Sequence, residues 1–349
     1  MKSTLALAKT FVASVSGGLI FYFLHLPLPW ILGPLSTLLL YKSIRPGTFY
    51  TPGFLKNTAF TITGIYFGAS FTIEALAAAG PYFLPYTLLT IILLTFSTAS
   101  GFFLAKKTGL DQITSVFAAI PGGLSEMVAA SDSLKGNVGI VSVLQTIRIL
   151  SVVFLIPFFV TYAFADINAG AFNSPAAYSG ADHPEAYLLW IIPILCGFLF
   201  RKSIPASFIV MPLLASALLN IFGMPVPQLP HWLVTAAQVI IGTSIGSKMS
   251  ISDLRKAGKA GPPFFAYTIL LISLSLGLGW LFSHITGVPI ETGLLSLAPG
   301  GLVEMVLTAE SIGGDAAVVS SLQLIRFLFI VLAVPALLKW YFNRKNLHS

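Results

Sequence analysis

The chain has 349 residues, of which 56% are hydrophobic and only 9% are charged, and its formal net charge is +7. Soluble domains carry about 25% charged residues, so this composition excludes water as the medium for most of the surface. The basic residues are few and lie in short loops between apolar runs, which is typical of topology determinants and argues against a nucleic-acid-binding protein. The single cysteine, Cys196, excludes an intrachain disulfide and a cysteine-based metal cluster. The composition predicts an all-α polytopic membrane protein.

Apolar runs that approach the length of a bilayer span follow one another along the chain. The amino-terminal run lacks a small-residue cleavage site, so we interpret it as a first span rather than as a signal peptide. The predicted full spans lie near 8–24, 28–41, 54–78, 82–104, 138–164, 187–200, 205–221, 231–251, 263–284 and 316–341. Two further apolar segments, 112–131 and 291–310, are interrupted by Pro-Gly-Gly.

The second half of the chain repeats the first at an offset of 178 positions, the separation of Pro121 from Pro299. From Pro121 to Pro157, 18 of the 37 aligned pairs are identical, against roughly 2 or 3 expected from ordinary residue usage. Each homologous copy therefore has five full spans and one broken segment. The predicted organisation is a first membrane repeat at 1–165, an external linker at 166–186 and a second membrane repeat at 187–349.

The distribution of basic residues predicts the topology of these spans. If the amino terminus is cytoplasmic and the Pro-Gly-Gly segments are re-entrant, every Lys and Arg outside the spans lies on the cytoplasmic side. The opposite side, which includes the linker, then carries no Lys or Arg, only acidic residues and histidines. The positive-inside rule favours this arrangement, and five spans per copy make the copies inverted repeats. A model with 12 full spans and parallel repeats differs only in the two broken segments.

The broken segments, IPGGLSEMV and APGGLVEMV, place helix breakers at membrane depth. Irregular backbone survives there only inside protein or beside a water-filled cavity, and a glycine pair can take conformations closed to other residues. The N–H groups after each break suit an anion, and the carbonyls before it suit a cation such as Na⁺. The alternative is a tight turn with a packing role only. The carbonyls belong to Ala119, Ile120, Leu297 and Ala298, and the candidate binding residues are Pro121, Gly122, Gly123, Pro299, Gly300 and Gly301.

One glutamate follows each break by three residues, Glu126 in the first copy and Glu304 in the second. A carboxylate within a membrane is costly to bury and is a functional-site candidate by default. It can coordinate a cation, carry a proton or answer a cation on the substrate, and the alternative is a structural pair with a buried arginine. We include both glutamates, together with Ser125, in the candidate binding site.

The last span of each copy contains a glutamine and an arginine in an otherwise apolar run. Gln145 and Arg148, like Gln323 and Arg326, are spaced i, i+3 and share one helix face. A guanidinium offers a fork suited to a carboxylate or a phosphate. Contact with the substrate and a structural Glu–Arg pair both stay open, and a pair that breaks during transport would combine them.

Other motifs point to packing rather than to chemistry. Gly64-x-x-x-Gly68 and Gly242-x-x-x-Gly246 have the spacing that permits close contact between helices. The sequence contains no Gly-x-Ser-x-Gly motif, no Walker loop and no histidine spacing that would build a metal centre. We therefore expect a protein that is not an enzyme and holds no cofactor, with Na⁺ or H⁺ as a coupling ion.

The paired (I/A)PGGLxEM motifs, each followed about 19 residues later by Q-x-x-R, resemble those of the bacterial membrane AbrB-duplication family over essentially the whole chain. Members carry labels such as ammonia monooxygenase and AbrB family transcriptional regulator. The chain offers neither the clustered ligands of an oxygenase nor a soluble segment long enough for a DNA-binding domain. The resemblance implies a cytoplasmic-membrane protein suspected of transport. Its predicted architecture is similar to that of inverted-repeat, sodium-coupled carriers of organic anions.

Two functions follow as hypotheses. The first is an ion-gradient-driven secondary transporter that moves a small anionic solute by alternating access, with both Pro-Gly-Gly segments and both arginines at its centre. The alternative is a membrane-bound regulator or sensor that affects gene expression indirectly. The expected partners are the lipid bilayer and a small-molecule solute, without nucleic acid, and a homodimer stays open. The expected location is the bacterial inner membrane, with both termini cytoplasmic.

Overall fold

The computed structural model describes residues 2–44, 49, 51–69, 71, 80–164, 184–204, 206–224, 226–249 and 256–346. Within these ranges all regular structure is helical, with 14 α-helices. In chain order they are α1 (Lys2–Phe23), α2 (Pro29–Ile44), α3 (Gly53–Ala69), α4 (Phe83–Thr108), α5 (Gln112–Ala119), α6 (Leu124–Ser133), α7 (Val138–Phe164), α8 (Ile191–Leu199), α9 (Ser207–Ile221), α10 (His231–Lys248), α11 (Gly261–Thr286), α12 (Ile290–Leu297), α13 (Leu302–Ser311) and α14 (Ala316–Asn346).

Four helical stretches are long and apolar enough to cross a membrane, and they correspond to the predicted fourth and last full spans of each copy. They are Gly80–Thr108, Val138–Phe164, Gly258–Thr286 and Ala316–Phe342. Shorter apolar helices cover Leu7–Phe23, Ala186–Leu199 and Ser207–Ile221. The prediction of an all-helical chain suited to a membrane is confirmed, whereas the count of ten full spans stays a prediction.

Each Pro-Gly-Gly motif separates two short helices, as predicted. Helix α5 ends at Ala119 and α6 begins at Leu124, while α12 ends at Leu297 and α13 begins at Leu302. Most of the predicted 166–186 linker, and the ends of the predicted 54–78 and 231–251 spans, lie outside the described residues.

The chain forms two compact units. The first comprises Met1–Gly80, Pro157–Ile251 and Val306–Val318, and the second comprises Pro81–Ile156, Ser252–Met305 and Val319–Ser349. Each unit combines segments of both sequence copies. The predicted boundary at 166–186 separates the two sequence repeats, and its role as a domain boundary stays a prediction.

In the first unit, glycines let α3 approach α9 and let α10 approach α2. A Cβ at Gly64 would lie 2.5 Å from the carbonyl oxygen of Ile209, and a Cβ at Gly242 would lie 2.3 Å from that of Ile31. The two contacts are equivalent. Gly242 lies 178 positions after Gly64, and Ile209 lies 178 positions after Ile31, so each copy supplies the glycine in one contact and the isoleucine in the other. The predicted packing role of the Gly-x-x-x-Gly motifs is confirmed at these positions.

The carboxyl ends of α10 and α3 are capped by equivalent positions of the two copies. The Lys42 ammonium donates hydrogen bonds to the carbonyls of Ser247 (2.7 Å) and Met249 (3.0 Å) at the end of α10. Asn220, 178 positions later, donates to the carbonyl of Ala69 (2.9 Å) at the end of α3. The carboxyl end of a helix is therefore capped by a lysine of the first copy in one case and by an asparagine of the second copy in the other.

In the second unit, α4 and α11 pack in antiparallel orientation. The ring of Tyr86, near the start of α4, lies 5.9 Å from that of Phe282, near the end of α11. Further along α4, the ring of Phe96 lies 6.4 Å from that of Tyr267, near the start of α11. Helix α4 also contacts α5, and α11 contacts α12, so this pair places both broken segments.

Candidate functional site

The first helix break is held by two side chains of α7. The last carbonyls of a helix have no partner within it, and the carboxyl end of α5 carries a partial negative charge. Gln145 Nε2 donates to the carbonyls of Phe117 (2.6 Å) and Ile120 (3.0 Å). Arg148 donates to Ile120 (2.7 Å) and to Gly122 (2.8 Å) through its two terminal nitrogens. These groups satisfy the backbone that the proline interrupts and place a cation at the negative end of α5.

The second break repeats this geometry with side chains of α14. Gln323 Nε2 donates to the carbonyls of Leu295 (2.7 Å) and Ala298 (3.3 Å). Arg326 donates to Ala298 (2.5 Å) and Gly300 (3.1 Å), and also to the Oε1 atom of Gln323. Each donor and each of these carbonyl acceptors lies 178 positions after its counterpart in the first copy, so the copies share one bracing arrangement.

Two tyrosines hold the breaks from the opposite sequence copy. Tyr267 on α11 donates to the carbonyl of Ala119 (2.9 Å), and Tyr86 on α4 donates to the carbonyl of Ser296 (3.1 Å). No sequence pattern marks these tyrosines, because they are not separated by the repeat offset and no motif surrounds them. Only the antiparallel packing of α4 against α11 brings them to the site.

The glycines of the motif make room for side chains of the half-helix that follows. A Cβ at Gly123 would lie 2.1 Å from Oε2 of Glu126, and a Cβ at Gly122 would lie 2.8 Å from the terminal methyl of Met127. The second break repeats both contacts, between Gly301 and Glu304 and between Gly300 and Met305. In both PGGLxEM motifs, the first glycine therefore leaves room for the methionine side chain and the second for the glutamate side chain.

The expectation that the glycine pair supplies unusual backbone conformations is wrong. Gly123 has φ −63° and ψ 138°, a region open to most residues. The other three glycines of the two motifs, Gly122, Gly300 and Gly301, also lack a positive φ angle. Glycine at position 123 leaves room for the Glu126 carboxylate, which a Cβ there would displace.

Each motif glutamate lies in the first turn of a half-helix. Gly123 is the N-cap residue of α6, so Glu126 is the third residue of that helix and its carboxylate folds back towards the amino end. A carboxylate at this position is stabilised by the N–H groups of the first turn and by the helix dipole. Glu304 is 6% exposed, whereas Glu126 is partly exposed.

The remaining predicted residues have the following places. Pro121 and Pro299 are buried at the two breaks. The backbone of Ser125 lies in the first turn of α6, and its side chain falls outside what the structure describes. The two arginines donate to backbone carbonyls, and Arg326 donates also to the Gln323 side chain. The sequence-based alternatives of substrate contact and Glu–Arg pairing did not include this bracing role.

The carbonyls expected to suit Na⁺ already accept hydrogen bonds. Ile120 and Ala298 accept from a guanidinium, Leu297 accepts from Arg326 at 3.3 Å, and Ala119 accepts from a tyrosine. In the described ranges of the chain, no group of three or more His, Cys, Asp or Glu side chains is placed to hold a metal ion. At each break, the arginine guanidinium of the same copy contacts the carbonyls that were expected to bind a cation.

The fold and this site define an all-helical protein with helices suited to a membrane and two helix breaks, each braced by a buried Gln–Arg pair. The chain belongs to the AbrB family, because the family model described as "Transition state regulatory protein AbrB" matches residues 30–342. This confirms the resemblance drawn from the motifs.

Two relatives are similar over nearly the full length. "Uncharacterized protein YhjN" of Bacillus subtilis (strain 168) is 27% identical over 343 residues, which cover 92% of this chain and 89% of the relative. "Putative regulator AbrB" of Escherichia coli (strain K12) is 25% identical over 324 residues, which cover 92% of each.

Proposed function

We propose that this AbrB-family protein is an ion-gradient-driven secondary transporter that moves a small anionic solute by alternating access. The observation that carries the proposal is the pair of braced helix breaks at equivalent positions of the two sequence copies. Discontinuous helices at corresponding positions of two repeats are the means by which many carriers build a substrate site. The guanidinium that braces each break also leaves a buried positive charge there.

The charge at the breaks favours an anion. Arg148 and Arg326 are each 4% exposed, and they donate to neutral carbonyls, which leaves their positive charge in place. Two such cations in one compact unit create a positive potential in surroundings of low dielectric constant. The amino ends of α6 and α13 add further N–H groups, as in other anion sites.

We infer that the two copies are inverted repeats. The glycine contacts of the first unit occur twice with exchanged partners, which is the property of a local two-fold axis. In the second unit the equivalent helices α4 and α11 are antiparallel neighbours. If both cross a bilayer, the axis that exchanges them lies in the membrane plane, as inversion requires.

The caps of α10 and α3 support the proposed orientation. Lys42 falls on the cytoplasmic side of that topology and Asn220 on the external side. The positive-inside rule explains why one capping task uses a cation inside and a neutral amide outside. We place the protein in the bacterial inner membrane with both termini in the cytoplasm.

Uptake into proteoliposomes tests this function. Radiolabelled succinate, citrate, phosphate and sulfate serve as a panel, and proton, Na⁺ or potential gradients are imposed in turn. We expect gradient-dependent uptake of at least one anion by the wild type and its loss in Glu126→Gln and Arg326→Ala. The transporter proposal is wrong if the folded protein moves no anion under any gradient and the variants lose only stability.

The alternative is a membrane-bound regulator or sensor that affects gene expression indirectly, and the printed names of the family model and of the Escherichia coli relative favour it. A regulator needs a cytoplasmic surface that binds a partner. Affinity purification from membranes, with and without substitutions in the predicted cytoplasmic loop around Lys135, distinguishes the two. A stoichiometric partner lost in the loop variants, with no anion flux, favours the regulator.

A further inference from the structure

We propose that the coupling ion is the proton and that Glu126 and Glu304 carry it, so that protons and the anion move together. This inference rests on the proposed transport function and concerns the same two helix breaks. It follows from the hydrogen bonds of the backbone carbonyls, from the position of the carboxylates and from the balance of charge between them and the arginines.

Among the described residues of the two breaks, the carbonyls that were expected to bind Na⁺ already accept hydrogen bonds from side chains, which disfavours Na⁺. Hard cations take several oxygen ligands at once. The carbonyl oxygens that accept hydrogen bonds from side chains are those of Phe117, Ala119, Ile120 and Gly122 at the first break and of Leu295, Ser296, Leu297, Ala298 and Gly300 at the second. Most of these donors are guanidinium groups or lie beside one, and a positive charge repels a second cation.

A single carboxylate at each break suits a proton. The Glu126 carboxylate lies beside Gly123, and the neighbouring residue Gly122 accepts from Arg148. At the second break, the Glu304 carboxylate likewise lies beside Gly301, and the carbonyl of Gly300 accepts from Arg326. Among the described residues, the titratable side chains that donate hydrogen bonds to the breaks are Arg148 and Tyr267 at the first and Arg326 and Tyr86 at the second.

The charge balance couples the proton to the anion. With both glutamates ionised, their charges offset the two guanidiniums, and the site attracts an anion only weakly. With both glutamates protonated, the two positive charges are left without that balance and the site binds an anion more strongly. Binding of each ligand therefore favours binding of the other, and linkage requires that each raises the affinity for the other by the same factor.

Infrared difference spectroscopy tests the proton site without a solute. The purified protein is stepped between alkaline and acidic buffer, and the protonated-carboxyl band is compared between the wild type, the double variant Glu126→Gln/Glu304→Gln and the control Asp132→Asn. Asp132 is an exposed acid on the same half-helix as Glu126. We expect a band that the double variant loses and the control keeps. An unchanged band in a folded double variant overturns the inference.

A Na⁺ titration provides the opposite test. Replacement of KCl by NaCl at constant ionic strength should leave the melting temperature of the wild type unchanged. A rise specific to Na⁺ that disappears in the double variant overturns the proton assignment.

Flux measurements separate this inference from the proposed function. Proteoliposomes containing a trapped pH dye receive succinate, citrate, phosphate or sulfate in sodium-free choline buffer. We expect at least one anion to acidify the interior, and the double variant to abolish that acidification. Anion flux that requires a Na⁺ gradient and moves no protons rejects the proton while the transporter stands. If no anion moves under any gradient, the transporter fails, and the infrared result alone decides whether the glutamates bind protons.

Discussion

At the scale of single residues, the glycines of the PGGLxEM motif leave room for side chains of the half-helix that follows. Gly123 leaves room for the Glu126 carboxylate, which a Cβ there would displace, while its backbone dihedral angles suit many residues. The sequence predicted which residues belong to the break, since proline and glycine act locally. It did not predict why glycine is there, because the contact depends on how the following half-helix folds back.

Substitution Gly123→Ala should displace the Glu126 carboxylate and lower stability by about 0.5–1.5 kcal/mol, the cost of pushing a side chain off its rotamer. In a Glu126→Ala background the same change should cost much less, because the overlapping atoms are gone. Thermal unfolding of the four proteins in detergent measures the difference. Gly277→Ala, where a Cβ meets no atom within 4 Å, is the control. Equal cost in both backgrounds would contradict the packing explanation.

The arginines are expected to contribute to stability as well as to charge. Arg148→Gln removes the donors of the Ile120 and Gly122 carbonyls, and we expect a loss of about 2–4 kcal/mol, since hydrogen bonds to charged groups contribute about 1.5–3 kcal/mol each. Arg201→Gln, at an exposed arginine, should change stability little. Chemical denaturation of both variants provides the comparison. If Arg148→Gln unfolds like the control yet loses transport, the arginine acts on the substrate and does not brace the break.

At the scale of helices, hydropathy and the repeat predicted where α5 and α6, and α12 and α13, are separated, because these features are encoded locally. The partners of each helix were not predictable in the same way. Tyr86 and Tyr267 reach the breaks only because α4 and α11 pack in antiparallel orientation. No local pattern reports which residues of two distant helices will meet.

The cap at the end of α10 should tolerate an exchange between the copies. Lys42→Asn reproduces the residue that performs this task at Asn220, and we expect stability to stay close to that of the wild type. Lys42→Leu leaves the carbonyls of Ser247 and Met249 without this donor and should cost about 1–3 kcal/mol. Melting temperatures of the purified variants test both expectations. A leucine variant as stable as the wild type would remove the capping role.

At the scale of the whole molecule, composition and charge predicted an all-helical membrane-type protein, and the repeated motifs predicted its family. The arrangement of the spans depends on a bilayer and on segments such as 166–183, which lie outside the described residues. The inverted topology therefore rests on the contacts of each unit taken together with the positive-inside rule.

Reporter fusions test that topology. A reporter inserted at Lys135 should be cytoplasmic, and one inserted in the 166–185 linker should be external, because all Lys and Arg outside the spans then face the cytoplasm. Paired alkaline phosphatase and green fluorescent protein fusions report the two sides. Detection of both sites on one side of the membrane would contradict the re-entrant segments and the inversion.

The central claim is that the two braced helix breaks form the anion pathway of a carrier. Electrical recording from proteoliposomes adsorbed on a solid-supported membrane tests it most directly, with rapid jumps in the concentration of each anion of the panel. A transport current is expected for at least one anion whose charge the accompanying protons do not cancel. That current should be absent from protein-free liposomes, lost in Glu126→Gln/Glu304→Gln and retained in Asp132→Asn. The absence of both current and tracer uptake for every anion, with folded protein in the membrane, would contradict it.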